Sequence, residues 1–95
     1  MFYVNIWLTV KKEEDIPQVR EYLCEIARLS IEEEACLRLD VYHSEADRTR
    51  FLLVEHWNSR EGWQGHREEI PFTEIYQPKV LPLVDREPHI CELIE

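Results

Sequence analysis

Glu55, His56, Trp57, Trp63 and His66 all fall within the stretch Arg50–His66, and they are the side chains best suited to chemistry in this chain. A carboxylate, imidazoles and indoles at this spacing suit proton transfer beside a planar apolar surface. Imidazole is the side chain that ordinarily titrates between pH 5 and 8, so it can take a proton from a phenol. Indole offers a flat wall with one hydrogen-bond donor. The stretch opens as the apolar run Phe51–Val54, turns polar and aromatic at Glu55, and meets a helix-start signal at Asn58 and Ser59. It reads as a strand that delivers Glu, His and Trp to its end, followed by a helix that carries His66.

Each of these residues also has a plainer role. His66 could bond a buried carbonyl or sit on a subunit seam, and Trp57 and Trp63 could be core filling. Glu55 is expected to pair with Arg38 or Arg50, because an unpaired buried carboxylate is costly. It is otherwise a candidate to tune His66 or hold a substrate hydroxyl.

The elements that must position them follow from periodicity. Phe2 to Val10 alternates strictly, with Phe2, Val4, Ile6, Leu8 and Val10 on one face and Tyr3, Asn5, Trp7 and Thr9 on the other. Lys11–Glu14 is a charged turn. Asp15 is the expected cap of a helix over about 16–33, with Pro17 in its first turn and Gln18 at capping-box spacing. Ile16, Val19, Leu23, Ile26 and Ser30 form its inner stripe.

A second strand over 36–43 places Leu37, Leu39 and Val41 opposite Cys36, Arg38, Asp40 and Tyr42. A third, 51–57, is apolar enough to imply burial on both faces. The following helix is weakened by Gly62 and Gly65, and Trp63, His66, Arg67 and Ile70 mark its inner side. Pro71 ends or kinks it. A further helical piece through Phe72, Ile75, Tyr76, Val80 and Leu83 is bent or broken by Pro78 and Pro82. Residues 88–94 make a last strand.

The order β-α-β-β-α-β predicts an α+β, ferredoxin-like antiparallel sheet in a single domain, 1–95, with both helices on one face. The other face carries too many aromatic and aliphatic side chains to stay wet, so the expectation is a face-to-face homodimer.

Composition excludes several partners. A net charge of −9 argues against nucleic acid and anionic membranes, which demand clustered Lys and Arg. No apolar run approaches the ~20 residues of a membrane span, and without an export signal a cytoplasmic protein is expected. Cys24, Cys36 and Cys91 read as buried thiols. His43, His56, His66 and His89 show no metal-ligating spacing, so no metal is expected.

Glu34-Ala-Cys-Leu-Arg-Leu-Asp-Val41, Arg50-Phe-Leu-Leu-Val-Glu-His-Trp57 followed by Trp63-Gln-Gly-His66, and Val80-Leu-Pro-Leu-Val84 together resemble the antibiotic biosynthesis monooxygenase domain of the dimeric α+β barrel superfamily. The likeness covers nearly the whole chain. Ala35 stands where the family usually has Gly, and Ile70-Pro-Phe72 where it often has Ser/Thr-Pro-His. The resemblance implies a dimer with a pocket between sheet and helices in each subunit, and oxidation of a quinol or phenol by dioxygen without cofactor.

In that setting His66 is the expected base or proton relay. Asn5 and Tyr76 are the expected hydrogen-bond donors, and Trp57, Trp63 and Glu55 the substrate contacts. Asn5 is out of register by one with the Asn of haem-degrading relatives, and His66 and Tyr76 occupy roughly the places where those relatives carry a Trp and a His, so haem oxygenation is not expected. The rivals are an isomerase of a small hydroxy-ketone or sugar phosphate, sharing the pocket without oxygen, and a non-catalytic dimeric small-molecule-binding module.

Overall fold

Alternation in the first strand becomes burial on one side of a sheet. In a computed structural model describing residues 1–95, β1 (Phe2–Val10) buries Val4, Ile6, Leu8 and Val10 and leaves Tyr3, Asn5, Trp7 and Thr9 half-covered. β1 is central in a four-stranded antiparallel sheet of order β2-β3-β1-β4, where β2 is Cys36–His43, β3 Arg50–Trp57 and β4 Val84–Cys91. The helices lie on one face, as the ferredoxin-like order requires.

Helix α1 (Ile16–Ser30) packs Val19, Leu23, Ile26 and Ser30 onto that face, with Pro17 in its first turn. Asp15 does not cap it. That residue already has helical dihedrals at the end of a 3₁₀ turn, Glu13–Asp15, so the extended geometry of a side-chain cap is lost. The helix also stops three residues short of the expected Glu33, because Ile31–Ala35 folds into tight turns in which Glu33 N–H bonds the Ser30 carbonyl and Cys36 N–H the Glu33 carbonyl.

Two strands differ from expectation. In β2 a bulge between Cys36 and Arg38 inserts one residue, which brings Cys36 onto the buried face with Leu39 and pushes Leu37 out. The last strand begins at Val84 instead of Pro88, pairing Val10 with Val84 and Tyr3 with Cys91. Its residues Asp85–His89 are exposed and, Pro88 apart, polar, so no alternation announces them, and Pro88 is tolerated because β4 is an edge strand. β3 is buried on one face only. Phe51, Leu53, Glu55 and Trp57 point inward, while Leu52, Val54 and His56 join Tyr3, Asn5, Trp7 and Tyr42 on the open face.

Ser59 starts α2 (Arg60–Gly65) by accepting the Gly62 N–H at 3.0 Å. The chain tightens to a 3₁₀ turn at His66–Glu68, breaks at Glu69, and resumes as a π-wound helix, Pro71–Val80, with Pro78 inside it and a 3₁₀ turn, Leu81–Leu83, after it. A proline without an N–H is accommodated where the winding is already wide. Ile70 does not join the inner stripe. It is 58% exposed, since the break at Glu69 rotates it away. Nor is every thiol buried: Cys36 is, Cys91 is partly covered, and Cys24 lies on the outer side of α1.

Candidate active site

The break between α2 and the π-helix places His66 against the sheet. His66 is 9% exposed, and its ring lies 4.8 Å from that of Trp57 and 5.9 Å from that of Phe72. Its Nδ1 sits 2.9 Å from both carboxylate oxygens of Glu33, in the turn after α1. An ionised Glu33 accepts only, so this contact sets the proton of a neutral imidazole on Nδ1. Nε2, with no hydrogen bond inside the chain, is then left as a free acceptor. Burial pushes the Glu33 carboxyl up from its ordinary range, and the His66 hydrogen bond opposes this.

Glu55 lies on the same side of the sheet, 5% exposed. It forms no ion pair with Arg38, which is bonded to Asp40, or with Arg50, whose guanidinium lies over the Trp7 ring at 4.4 Å. The reason is the register: even-numbered β3 residues face the open side and odd-numbered ones the helices, so Arg50 and Glu55 are on opposite faces. Instead Glu55 Oε1 accepts the Trp57 Nε1–H at 2.9 Å, the i, i+2 neighbour on one face of β3. Burial drives its carboxyl up, with the Trp57 bond and the nearby His66 and Arg86 opposing. Glu55 is thus biased toward its protonated form, in which it can also donate a hydrogen bond.

Tyr76 is buried on the π-helix, and its hydroxyl accepts the Arg86 Nε–H at 3.0 Å. Burial raises this phenol, while the Arg86 charge and hydrogen bond pull against it. Phe72 packs between the His66 and Tyr76 rings, 5.6 Å from the latter.

These groups surround an inner chamber of about 30 Å³ lined by Glu55, Trp63, His66, Phe72, Tyr76 and Arg86 together with Arg67 and aliphatic residues of the sheet and α1. That volume holds a water molecule or something of similar size. An outer pocket of about 370 Å³ shares Arg67, Phe72, Tyr76 and Arg86 with the chamber, so these four side chains form the wall between them. On the other side of His66 runs an acidic groove of about 610 Å³ bordered by Glu32, Glu33, Glu34, Glu68 and Glu69. His66 therefore stands between a small inner chamber and an open acidic groove.

Of the residues singled out in the sequence, Glu55, Trp63, His66 and Tyr76 meet at the chamber. Trp57 does not line it; it is wholly buried, with its ring against His66 and its Nε1–H on Glu55. Asn5 is elsewhere. It is on the opposite face of the sheet, where its Nδ2 donates to Cys91 Sγ at 3.2 Å. Sequence reasoning missed Glu33, Arg86, Arg67 and Phe72 as site residues. Glu33 is one of three consecutive glutamates, and only the turn geometry selects it. Arg86 was hidden by the unannounced start of β4, although its alternation with Val84 along an edge strand is a usable signal once the pairing is known. No three His, Cys, Asp or Glu side chains converge as a metal-ligating group, and no helix is long and apolar enough to cross a membrane.

A family model described as antibiotic biosynthesis monooxygenase matches residues 1–77. Among solved structures, one described as an antibiotic biosynthesis monooxygenase is 22% identical with a TM-score of 0.90, covering 100% of both chains. A conserved protein of unknown function from Bacteroides thetaiotaomicron, described as a possible oxidoreductase, is 23% identical with a TM-score of 0.88, over 97% of this chain and 96% of its own. A Mycobacterium tuberculosis protein is 20% identical with a TM-score of 0.83, over 100% and 98% of the two chains. At these identities the structures share the fold. No curated protein matches the chain.

Proposed function

The chain belongs to the antibiotic biosynthesis monooxygenase family, and from that premise we propose that it oxidises a small aromatic quinol or phenol with dioxygen, without cofactor. The observation that carries this reading is a histidine held by a carboxylate on one nitrogen, with the other nitrogen free, at a small apolar chamber that also contains a buried phenol and a buried carboxyl.

The chemistry asks little of the protein. His66 Nε2 removes the phenolic proton, giving a delocalised anion, and Glu33 stabilises the imidazolium so formed. The anion passes one electron to dioxygen, and the two radicals combine as a C–O bond at a ring carbon. The peroxide then loses the ring C–H proton and breaks its O–O bond. Its outer oxygen takes that ring proton together with the phenolic proton returned by His66 and leaves as water, so that phenol plus dioxygen becomes quinone plus water. Tyr76 Oη, and Glu55 when protonated, can donate to the oxygen that gains charge. A chamber with no room for bulk water suits the step, because charge on small oxygen species is then met chiefly by fixed donors instead of mobile solvent.

The chamber at about 30 Å³ suits dioxygen, and the outer pocket at about 370 Å³ suits the ring. The ring reaches His66 when Phe72, half-buried between them, swings aside. Asn5 drops out of the proposed catalytic set, since its amide faces away. The open sheet face bearing Tyr3, Asn5, Trp7, Leu52 and Val54 is proposed to be covered by a second copy of the chain. Light scattering at twice the chain mass checks that.

Oxygen uptake with a panel of quinols and anthrones tests the reaction. Wild-type protein is expected to exceed the blank on at least one compound, and His66→Ala to fall to it. Wild type matching the blank across the panel refutes the oxygenase. Turnover of a hydroxy-ketone without oxygen would favour an isomerase in the same pocket.

A further inference from the structure

Two cations at this site have no acid partner, in a chain whose net charge is −9. The ion pairs of the molecule are Arg38–Asp40, His66–Glu33 and His89–Glu87, and neither Arg67 nor Arg86 takes part in one. Arg86 uses only Nε, on Tyr76 Oη, and its terminal N–H groups are uncommitted. Arg67 holds its guanidinium carbon 5.1 Å from the centre of the Trp63 ring, and its side chain makes no hydrogen bond or ion pair within the chain. Both line the inner chamber and the outer pocket, and no acidic residue lines that outer pocket. A cluster of acids lies behind His66, in the groove of Glu32–Glu34, Glu68 and Glu69. Charge is therefore segregated across the site, cationic at the mouth and anionic on the far side.

Guanidinium groups bind planar oxyanions through paired N–H donors and stack on aromatic rings, a combination an ammonium cannot match. Beside them stand Phe72 and Trp63, surfaces for a ring. We infer that this pocket takes an aromatic ring bearing an oxyanionic substituent, a carboxylate or a phosphate, gripped at the mouth by Arg67 and Arg86 with the ring toward Phe72 and Trp63. The inference names the substrate class of the site proposed above and rests on that reading for the site's location alone. Arg86 also lies outside residues 1–77, so the family match says nothing about it. The one carboxyl facing the chamber, Glu55, is biased toward its neutral form by burial, which limits its repulsion of an anion.

The test is isothermal titration calorimetry, without turnover, of 1-hydroxy-2-naphthoate, 1-naphthyl phosphate and 1-naphthol against the full chain. One of the two anions is expected to bind at least roughly ten-fold tighter than naphthol, with an affinity that falls as salt rises. Whichever anion prevails identifies the oxyanion. Arg67→Gln and Arg86→Gln are each expected to erase most of that preference, weakening the anions several-fold more than naphthol. Arg67 has no hydrogen-bonding duty in the fold, so its variant remains informative if Arg86→Gln disturbs Tyr76. Naphthol binding as tightly as both anions, or both variants keeping the preference, overturns the inference. The titration needs no turnover, so failure of oxygen uptake and failure of anion selection are read separately.

Discussion

Gly62 and Gly65 sit three residues apart in α2, the short helix that leads into His66, and replacing each by alanine should push stability in opposite directions. Alanine in a helix interior is worth about 1 kcal/mol over glycine in either place. At Gly65 a Cβ meets nothing within 4 Å, so Gly65→Ala should be stabilising by about that amount. At Gly62 a Cβ would stand 2.5 Å from Asn58 Oδ1 and 2.6 Å from the Ala35 Cβ. The Asn58 amide can rotate away. The Ala35 methyl cannot, because it has no torsion that moves it, and the backbone there is tied by Asn58 N–H to the Ala35 carbonyl at 2.9 Å. Overpacking of this kind costs about 1–3 kcal/mol. The propensity term is common to both variants, so their difference isolates that cost. At about 4–8 °C per kcal/mol for a chain of this size, the two melting temperatures should separate by at least several degrees, compared at one protein concentration. Adding Ala35→Gly to Gly62→Ala should recover most of the loss, a coupling that a double-mutant cycle measures. Equal shifts in both glycine variants, or no rescue by Ala35→Gly, would refute the steric argument.

Glu55→Gln keeps an acceptor for Trp57 Nε1 and removes a carboxyl that burial has raised. The native state holds that proton at pH values where the unfolded chain has lost it. The stability contribution is therefore full at low pH and lost as pH rises from about 4 through the raised native value. The variant's melting temperature should gain on wild type from pH 4 to pH 8, and a gap that does not change with pH defeats the argument. In Glu33→Gln the amide can no longer impose the Nδ1–H tautomer on His66, so the imidazole nitrogen signals in NMR should shift and turnover should fall roughly ten- to hundredfold. Unchanged nitrogen shifts would show that Glu33 does not orient the ring. Burial, with Glu33 and Glu55 nearby, pushes the Cys36 thiol up to about 11, whereas Cys24 is exposed. Brief iodoacetamide treatment at pH 8 should label Cys24 and spare Cys36 until urea is added. Comparable labelling of the two by peptide mass would contradict the buried placement.

Much of the architecture was legible in the order of residues, for local reasons. Strict alternation in Phe2–Val10 and the three- and four-residue spacing from Val19 to Ile26 report which face meets the core, and such periods need no knowledge of partners. His66 could be picked out for the same reason, as an imidazole on the inner side of a weakened helix. Four further things were decided by tertiary structure. A bulge in β2 moved Cys36 inward and Leu37 outward, and β4 formed in a polar segment because backbone pairing with β1 does not require apolar side chains. The direction of Asn5 followed from the pleat once Val4 and Ile6 were committed to the core. The partners of Glu55 and His66 come from elements far apart in the chain, so spacing could not name them. Glu33 is 33 residues from His66, and which of three adjacent glutamates points inward depends on a turn. The stretch Arg50–His66 thus contained the proposed base and the buried carboxyl. What surrounds them, and therefore what they can do, was settled only when distant segments were packed against that stretch.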